Sequence, residues 1–546
     1  MKTTINLILI AAFGLLLGSC DLERMPYNEI SADKLDAGSI ESVTLGTYAK
    51  LKEEAYNKII HQVGEYGGDN ISLSGSTSDM LFNIYTYRRT ANNTYAANMW
   101  LYTYQMAVNC NSMIELIPEG ESPEKDQLLG ENYFLRGFVY FQLCNIYGRP
   151  YAQSPETNLG VPLKLTTDIT EFPPRATVKQ VYEQVVADML KAAELMNENK
   201  TNIYASKEVA YAFLSRIYLY MQDWAKAKEY ADLVIASGRY TLLEGSTYQS
   251  YTHAVPEDNT ETIFAIRNLK DVDLEKYNME WYSPGSLYAE INEIGWGEMY
   301  PSYSYLQLIA QNPGDLRHAF FANQAPADGA YTWLLYVNPT PMYVTRKVEL
   351  AAGQYTIVEG ADNYTSPQVE ETGGKYYVTE KTGNLRYEVK IEAAANLRNG
   401  YPKRFIYKCS LQEEQSHLYS PVMIRLAEIY LNRAEANDHL GSLAEATADL
   451  NIIRRRAAIP ERTLGGESDE TVLNWILEER RLELAWEGHR KYDVFRNGLT
   501  LDREYPGTHL SGSPVYKTVA PTADIVVELI PQRELDAYPI PLDVNP

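Results

Sequence analysis

Three glutamates that could serve as catalytic acids recur at intervals of four residues, at Glu479, Glu483 and Glu487. This spacing places them on one helical face, as the paired carboxylates of a glycosidase might be placed. The basic residues interleaved with them are Arg480, Arg481, Arg490 and Lys491. A carboxylate with cationic neighbours stays ionised, whereas a general acid needs an apolar pocket that raises its pKa. The pattern therefore predicts that these glutamates form a structural cluster of ion pairs, which we call the clasp, and that they are not a catalytic pair.

Other motifs that carry chemistry are missing from the chain. It contains no HExxH, no GxSxG and no glycine-rich phosphate loop, and none of its seven histidines stands at metal-ligand spacing from another. The sequence therefore predicts no catalytic residue, no metal and no cofactor. A net charge of −23 also disfavours nucleic acid, because such a surface repels phosphate.

Aromatic residues are the second group that could recognise a ligand. A flat ring meets the C–H face of a pyranose, and polar neighbours then hold the sugar hydroxyls. Residues 277–305 contain 8 aromatics in 29 positions, more than twice the 12% of the whole chain. We predict that sugar stacks on Trp281, Tyr282, Trp296 and Trp333, which lie in segments rich in Gly and Pro.

A second aromatic patch is predicted earlier in the chain. It consists of Tyr85, Tyr87 and Tyr95, with Arg88 and Asn92 as polar neighbours. For each aromatic residue in the two patches the alternative is a place in the protein core or in a contact with a partner protein, because large aromatics are mostly buried.

The first twenty residues have the pattern of a secretion signal. Lys2 precedes an apolar stretch, 5–17, that is too short for a stable transmembrane helix. The stretch ends in small residues directly before Cys20, which resembles a bacterial lipobox with Cys20 as the lipidated residue. Acyl chains contribute about 0.8 kcal/mol per buried methylene, so several of them hold a soluble domain on a membrane. The alternative is an ordinary secreted protein in which this cysteine has no role.

The remaining cysteines are Cys110, Cys144 and Cys409. Their odd number excludes a complete disulfide framework, and no CxxC occurs. The sequence predicts buried thiols on helices.

Apolar residues recur with a helical period in several segments. The predicted helices cover 95–116, 131–147, 178–196, 207–221, 224–237, 420–439, 443–457 and 470–496. Two pairs of these, 207–237 and 420–457, look like copies of each other, because the second helix of each opens with alanines at matching positions. Small residues at such spacing let antiparallel helices approach closely, as in tetratricopeptide repeats.

The segment from about 240 to 407 has a different pattern. Gly, Pro and Asn interrupt short β-like runs, and Gly373-Gly374 and Gly383-Asn384 are typical of hairpin turns. The sequence therefore predicts a mainly α protein, with a tetratricopeptide-like helical-hairpin scaffold and an inserted lobe rich in loops and β-hairpins.

Several longer motifs occur in a set order along the chain. They are 135–148, 425–436, 450–457, 479–490 followed by Asp493, Arg496 and Gly498, and the ending Pro539-Ile540-Pro541 with Asn545-Pro546. Together they resemble the SusD/RagB family of outer-membrane nutrient-binding lipoproteins. The clearest match is 479–490, and the resemblance runs from Cys20 to the last residue.

The resemblance implies a division of the chain and a setting for the protein. It implies a signal peptide at 1–19, an N-terminal helical part at 20–240, a variable ligand-binding lobe at 241–407 and a C-terminal helical part at 408–546. The protein would lie on the surface of the outer membrane of a Gram-negative bacterium, anchored by lipid. Its partner would be a SusC-like TonB-dependent β-barrel transporter.

The resemblance also implies a ligand, an oligosaccharide or polysaccharide that is bound without catalysis. Capture of peptides, as in members of the RagB kind, is an alternative in the same location. A surface glycoside hydrolase is a further alternative, and it would need two carboxylates that face each other across an aromatic cleft. The last alternative is a purely structural lid on the transporter.

Overall fold

The computed structural model describes residues 37–75, 80–324, 332–338, 342–466 and 468–546. Its α-helices in chain order are α1 (Ala37–Leu51), α2 (Glu54–Tyr66), α3 (Leu81–Thr86), α4 (Thr94–Leu116), α5 (Pro123–Tyr147), α6 (Val178–Leu195), α7 (Lys207–Met221), α8 (Trp224–Ala236), α9 (Gly245–Gln249), α10 (Asp273–Lys276), α11 (Met279–Tyr282), α12 (Pro284–Tyr288), α13 (Tyr303–Ile309), α14 (Leu426–His439), α15 (Leu443–Arg456), α16 (Asp469–Glu483), α17 (Arg490–Arg496) and α18 (Gln532–Ala537).

The strands are short outside the middle of the chain. In order they are β1 (Ile71–Leu73), β2 (Leu159–Pro162), β3 (Arg175–Thr177), β4 (Thr262–Ala265), β5 (Met299–Pro301), β6 (Phe321–Asn323), β7 (Thr332–Asn338), β8 (Met342–Ala351), β9 (Gln354–Ile357), β10 (Glu370–Thr372), β11 (Lys375–Thr379), β12 (Arg386–Ala393), β13 (Leu397–Arg398), β14 (Tyr401–Pro402), β15 (Arg404–Ile406), β16 (Val422–Arg425), β17 (Leu501–Asp502) and β18 (Thr518–Val519).

Long helices pack in sequence to form the scaffold. Helix α5 packs against both α4 and α6, α7 packs against α6 and α8, and α14 packs against α8, α15 and α16. Local signals set the turns between them. Gln222 takes a left-handed conformation after α7, and the Asp223 side chain accepts a hydrogen bond from Lys226 N, which begins α8. The structure confirms the predicted mainly α scaffold of helical hairpins.

The predicted helix boundaries fail at three places. The helix predicted at 131–147 begins earlier, at Pro123, as α5. The segment 470–496 is two helices, α16 and α17, because Trp486 and Gly488 have φ of 63° and 82° in the turn between them. The segment 420–439 begins as strand β16, paired with β4, and becomes helical only at Leu426.

The middle of the chain folds into a strand-rich lobe around six strands, in the order β10-β11-β12-β7-β8-β9. Its outer edges meet, because Val369 N donates to Tyr355 O at 2.9 Å and Val369 leads directly into β10. The sheet therefore closes into a small barrel with its own core of inward-facing side chains. Both predicted glycine turns lie in this barrel, and Gly373 and Gly374 form a two-residue hairpin loop in which both have positive φ.

The glutamates of the predicted clasp are buried and each has a cation. Glu479 lies 2.6 Å from Arg317, while Glu483 and Glu487 lie 2.6 Å and 2.8 Å from Arg425. The arginines around Glu483 hold the pKa of its carboxyl well below the usual range despite the burial, and Arg425 with Lys408 lowers the pKa of Glu487 to about 2.

The partners of these glutamates differ from those expected from sequence spacing. Arg480 pairs with Asp493 at 2.8 Å, and Arg490 pairs with Asp69 at 2.5 Å. Arg480 therefore joins α16 to α17, and Arg490 joins α17 to the turn after α2. The cations that hold the glutamates come from distant elements, which local spacing cannot reveal.

Cys110, Cys144 and Cys409 are buried free thiols. Burial raises the pKa of Cys110 and of Cys144 to about 12, so neither is a nucleophile. Cys409 lies in a turn and not on a helix, contrary to the prediction. Within the described ranges no helix is long and apolar enough to cross a bilayer, and no group of three metal-ligating His, Cys, Asp or Glu side chains occurs there.

Candidate carbohydrate-binding surface

A tight loop after α12 presents Trp296 to solvent. Trp296 N donates to Ser286 O at 2.6 Å, and Arg398 donates to Trp296 O at 2.6 Å. The glycines on either side of Trp296 both have positive φ, and a Cβ on Gly295 would lie 2.4 Å from a ring nitrogen of His417. Only glycine fits there, so the backbone can take the tight path that turns the indole outward.

Trp281 and Trp296 form an indole pair, although fifteen positions separate them in the sequence. Their ring centroids lie 5.1 Å apart with the planes at 68°, and Trp296 Nε1 donates to Trp281 O at 2.8 Å. Trp296 is 41% exposed and the adjacent Tyr282 is 46% exposed. Large aromatic side chains are rarely this open to water, so these rings offer an apolar face for a ligand.

Lys58 on α2 connects this pair to the second predicted patch. Its Nζ lies 5.4 Å from the ring centroid of Tyr282 and 5.6 Å from that of Tyr95. Glu54, one turn earlier, accepts from Lys58 at 2.9 Å. The structure therefore brings Tyr95 together with Tyr282, and we call Trp281, Tyr282, Trp296 and Tyr95 the aromatic surface.

Tyr85 and Tyr87, which we predicted to bind ligand, are buried in the body of the protein. The Tyr85 hydroxyl lies 2.8 Å from His509 Nδ1, and Tyr87 donates to the carbonyl of Gly67. The Arg503 guanidinium lies over both rings. Neither ring has a face open to solvent, so we remove both from the candidate site; their aromatic character serves the core.

The polar members of the second patch do not join the aromatic surface either. Arg88 Nε donates to the carbonyl of Pro514 at 3.0 Å and its Nη2 donates to that of Ser511, so this side chain fastens a C-terminal loop. Asn92 is exposed just before α4. No contact of either with the indole pair is observed within the described chain.

Two further predicted residues cannot be placed with the others. Trp333 lies on strand β7, where its backbone is opposite Lys347 and Glu392, and its side chain lies outside the described part of the protein. Cys20 precedes the first described residue.

Sequence reasoning missed the contribution of α2. A shallow cleft opens beside Tyr282 and is lined by Asn57 and Lys58 of α2 and by Tyr277. The helix itself has a readable signal, since its buried apolar residues are Tyr56, Ile59, Ile60 and Val63 at helical spacing. The position of Lys58 between tyrosines from two distant segments has no such signal.

Two carboxylates near the indole pair form ion pairs. Glu298 lies 2.9 Å from Arg398, and Glu290 lies 3.2 Å from Lys403. Ion-paired carboxylates suit hydrogen bonding and positioning, whereas a general acid needs a group kept protonated near neutral pH. The surface can bind a ligand through ring faces and hydrogen bonds.

Comparison with known proteins identifies the family to which the sequence is similar. A model of proteins described as "starch-binding associating with outer membrane" matches residues 22–219, and a SusD family model matches residues 260–524. A SusD-like protein of Formosa agariphila is 24% identical over 532 residues, which is 92% of this chain and 94% of that protein. The starch-binding protein SusD of Bacteroides thetaiotaomicron is 22% identical over 399 residues, 68% of this chain and 64% of that protein.

A solved structure agrees with these relatives. The crystal structure of a SusD superfamily protein from Bacteroides thetaiotaomicron superposes with a TM-score of 0.72 at 24% identity, covering 94% of this chain and 100% of that one. The fold is that of the SusD superfamily. The chain belongs to the SusD/RagB family.

Proposed function

We propose that this protein is a surface-exposed outer-membrane lipoprotein that binds an oligosaccharide and passes it, uncleaved, to a SusC-like TonB-dependent transporter. The indole pair, in which Trp296 is exposed and Trp281 is half-buried, is the observation that carries the proposal. Family membership supports carbohydrate as the ligand, and the lipobox-like ending at Cys20, outside the described residues, supports the anchor. The lobe at 241–407, which contains the indole pair, is the proposed variable ligand-binding part, between helical parts at 20–240 and 408–546.

The affinity expected from such a surface is modest. Each aromatic stacking contact contributes about 0.5–1.5 kcal/mol beyond its buried area, and ordering the ligand offsets part of this. A few contacts therefore give dissociation constants on the order of micromolar to millimolar. Weak binding suits a protein that must release its ligand to a transporter.

Replacing Trp296 by alanine should weaken glycan binding about tenfold without unfolding the protein. The substitution removes an exposed ring and leaves the backbone bonds to Ser286 and Arg398 in place. Isothermal titration with a glycan selected from a panel of plant, mucin and storage polysaccharides measures the change. A Trp281→Ala variant should act in the same direction, because the Trp281 carbonyl that accepts from Trp296 is retained.

The matched control is Phe172→Ala. Phe172 is 43% exposed, nearly as open as Trp296, but its ring contacts Tyr538 and not the aromatic surface. This variant should bind like the wild-type protein. If the Trp296 and Phe172 variants bind equally well, the indole pair is not the binding site.

Replacing Cys20 by serine should abolish acylation and weaken the attachment of the protein to the membrane. A serine has no thiol to acylate, so the variant keeps only its contact with the transporter. Metabolic labelling with palmitate and fractionation of membranes test this: the wild-type protein should be labelled and sediment with membranes. The purified variant should keep its glycan affinity. Labelling of the variant, or an unlabelled wild-type protein, would contradict the proposed anchor.

A further inference from the structure

A row of half-exposed tyrosines continues from the indole pair along helix α4. Tyr95 stands at the start of this helix and Tyr102 follows seven residues later. Seven residues are close to two full turns, so the two side chains share a face and lie about 10 Å apart along the axis. Gln105 is exposed one turn beyond Tyr102.

Lysines from the neighbouring helices lie beside these rings. Lys58 contacts the rings of Tyr282 and Tyr95, as described above, and Lys50 Nζ lies 6.0 Å from the ring centroid of Tyr102. Lys50 also donates to Gln105 Oε1 at 3.2 Å. These cation–ring contacts, with the spacing along α4, place Tyr282, Tyr95 and Tyr102 one after another along this surface.

Two of the three lysines along this row are compensated by carboxylates, and the third, Lys50, donates to the neutral Gln105. Lys58 is paired with Glu54 at 2.9 Å, and Lys52, which lines the cleft beside Tyr282, is paired with Asp273 at 2.8 Å. The whole chain carries a net charge of −23. Recognition of carboxylate or sulfate groups relies on charge-assisted bonds from free cations, so this surface is suited to an uncharged ligand.

We propose that this row, from Trp296 to Gln105, is a binding track for an internal stretch of a linear, uncharged polysaccharide. The inference rests on the function proposed for the indole pair and adds the class of ligand. A short oligosaccharide occupies the indole pair alone, whereas a longer chain also reaches Tyr95, Tyr102 and Gln105. Once one part of the polysaccharide is bound to the indole pair, its contacts with Tyr95, Tyr102 and Gln105 form within the same complex. Several weak contacts along one chain therefore add to the affinity.

The test compares chain lengths on wild-type and variant proteins. Affinity electrophoresis in gels with starch, dextran, galactomannan, polygalacturonate or chondroitin sulfate identifies a retained polysaccharide. Titration then uses its oligosaccharides of two and eight units. Tyr102→Ala should weaken the octasaccharide about three- to tenfold and the disaccharide less than about twofold, while Trp296→Ala should weaken both.

A second variant, at an exposed position, separates loss of binding from loss of folding. Gln105 is exposed, so Gln105→Ala should fold normally and should also weaken the octasaccharide selectively. Unchanged disaccharide binding shows that the Tyr102 variant is folded.

Each other outcome overturns a definite claim. If both variants bind the octasaccharide like the wild-type protein, the track is wrong while the indole-pair site stands. If only the two polyanions retard the protein, the uncharged class is wrong. If no polysaccharide in the panel retards the wild-type protein, the proposed function fails and the track fails with it.

Discussion

Replacing Arg425 by methionine should lower the free energy of unfolding by about 3–5 kcal/mol, the loss expected when one partner of a buried ion pair is removed. Arg425 is buried and donates to Glu261 and Glu483 at 2.6 Å and to Glu487 at 2.8 Å and 2.9 Å. Methionine is similar in length, so the variant removes the charge without opening a large cavity. Urea denaturation followed by circular dichroism measures the change.

The size of this effect follows from the equal numbers of buried positive and negative charges in the clasp. Its cations are Arg317, Lys408, Arg425, Arg454 and Arg456, and its carboxylates are Asp315, Glu261, Glu479, Glu483 and Glu487. Five positive charges therefore meet five negative ones in the interior. Loss of one cation leaves a carboxylate without compensation, and a buried unpaired charge costs several kcal/mol.

Arg455→Met is the matched control for this prediction. Arg455 lies in the last turn of α15 beside Arg456, but its side chain is exposed and pairs at 2.9 Å with the exposed Glu461. An exposed pair contributes less than about 1 kcal/mol, so this variant should be nearly as stable as the wild-type protein. Similar losses in the two variants would show that the clasp does not hold α14 and α16 together.

The parts of the fold that were predictable are those set by local sequence. Helices α7 and α8 follow from apolar periodicity, and the polar Gln222-Asp223 pair between them suits a turn and a helix cap. The hairpin at Gly373-Gly374 follows in the same way, because residues with positive φ are needed in a two-residue loop.

The parts that were not predictable depend on contacts between distant segments. The helical pattern of 470–496 continues through Trp486, yet the chain turns there because Gly488 packs against Gly64 of α2. The cations of the clasp likewise come from segments far from α16. Periodicity in one segment carries no information about these partners.

The candidate site also has a part that the sequence predicted and a part that it did not. A high local density of aromatics predicted Trp281, Tyr282 and Trp296, which the structure brings to one surface, and their role in binding stays a prediction. The same reasoning failed for Tyr85 and Tyr87, since residue type alone does not distinguish a ring in the core from a ring at the surface.

Replacing Gly64 by alanine should lower the free energy of unfolding by about 3 kcal/mol, the upper part of the range for overpacking. A Cβ at this position would lie 1.9 Å from the carbonyl oxygen of Gly488 and 2.6 Å from its carbonyl carbon. Both are backbone atoms of the turn before α17, so no side-chain rotation relieves the clash. Helix α2 would have to shift, and with it Lys58, so glycan affinity should fall as well. Urea denaturation and titration with the selected glycan measure the two effects.

Gly46→Ala is the control because it makes the same chemical change in a helix without the contact. Gly46 lies within α1, and a Cβ there meets nothing within 4 Å. Alanine stabilises an open helix position by up to about 1 kcal/mol relative to glycine, since it restricts the unfolded chain. The two substitutions should therefore have opposite signs. If Gly64→Ala also stabilises the protein, the close packing of α2 on the Gly488 turn is not what holds Lys58 beside the aromatic surface.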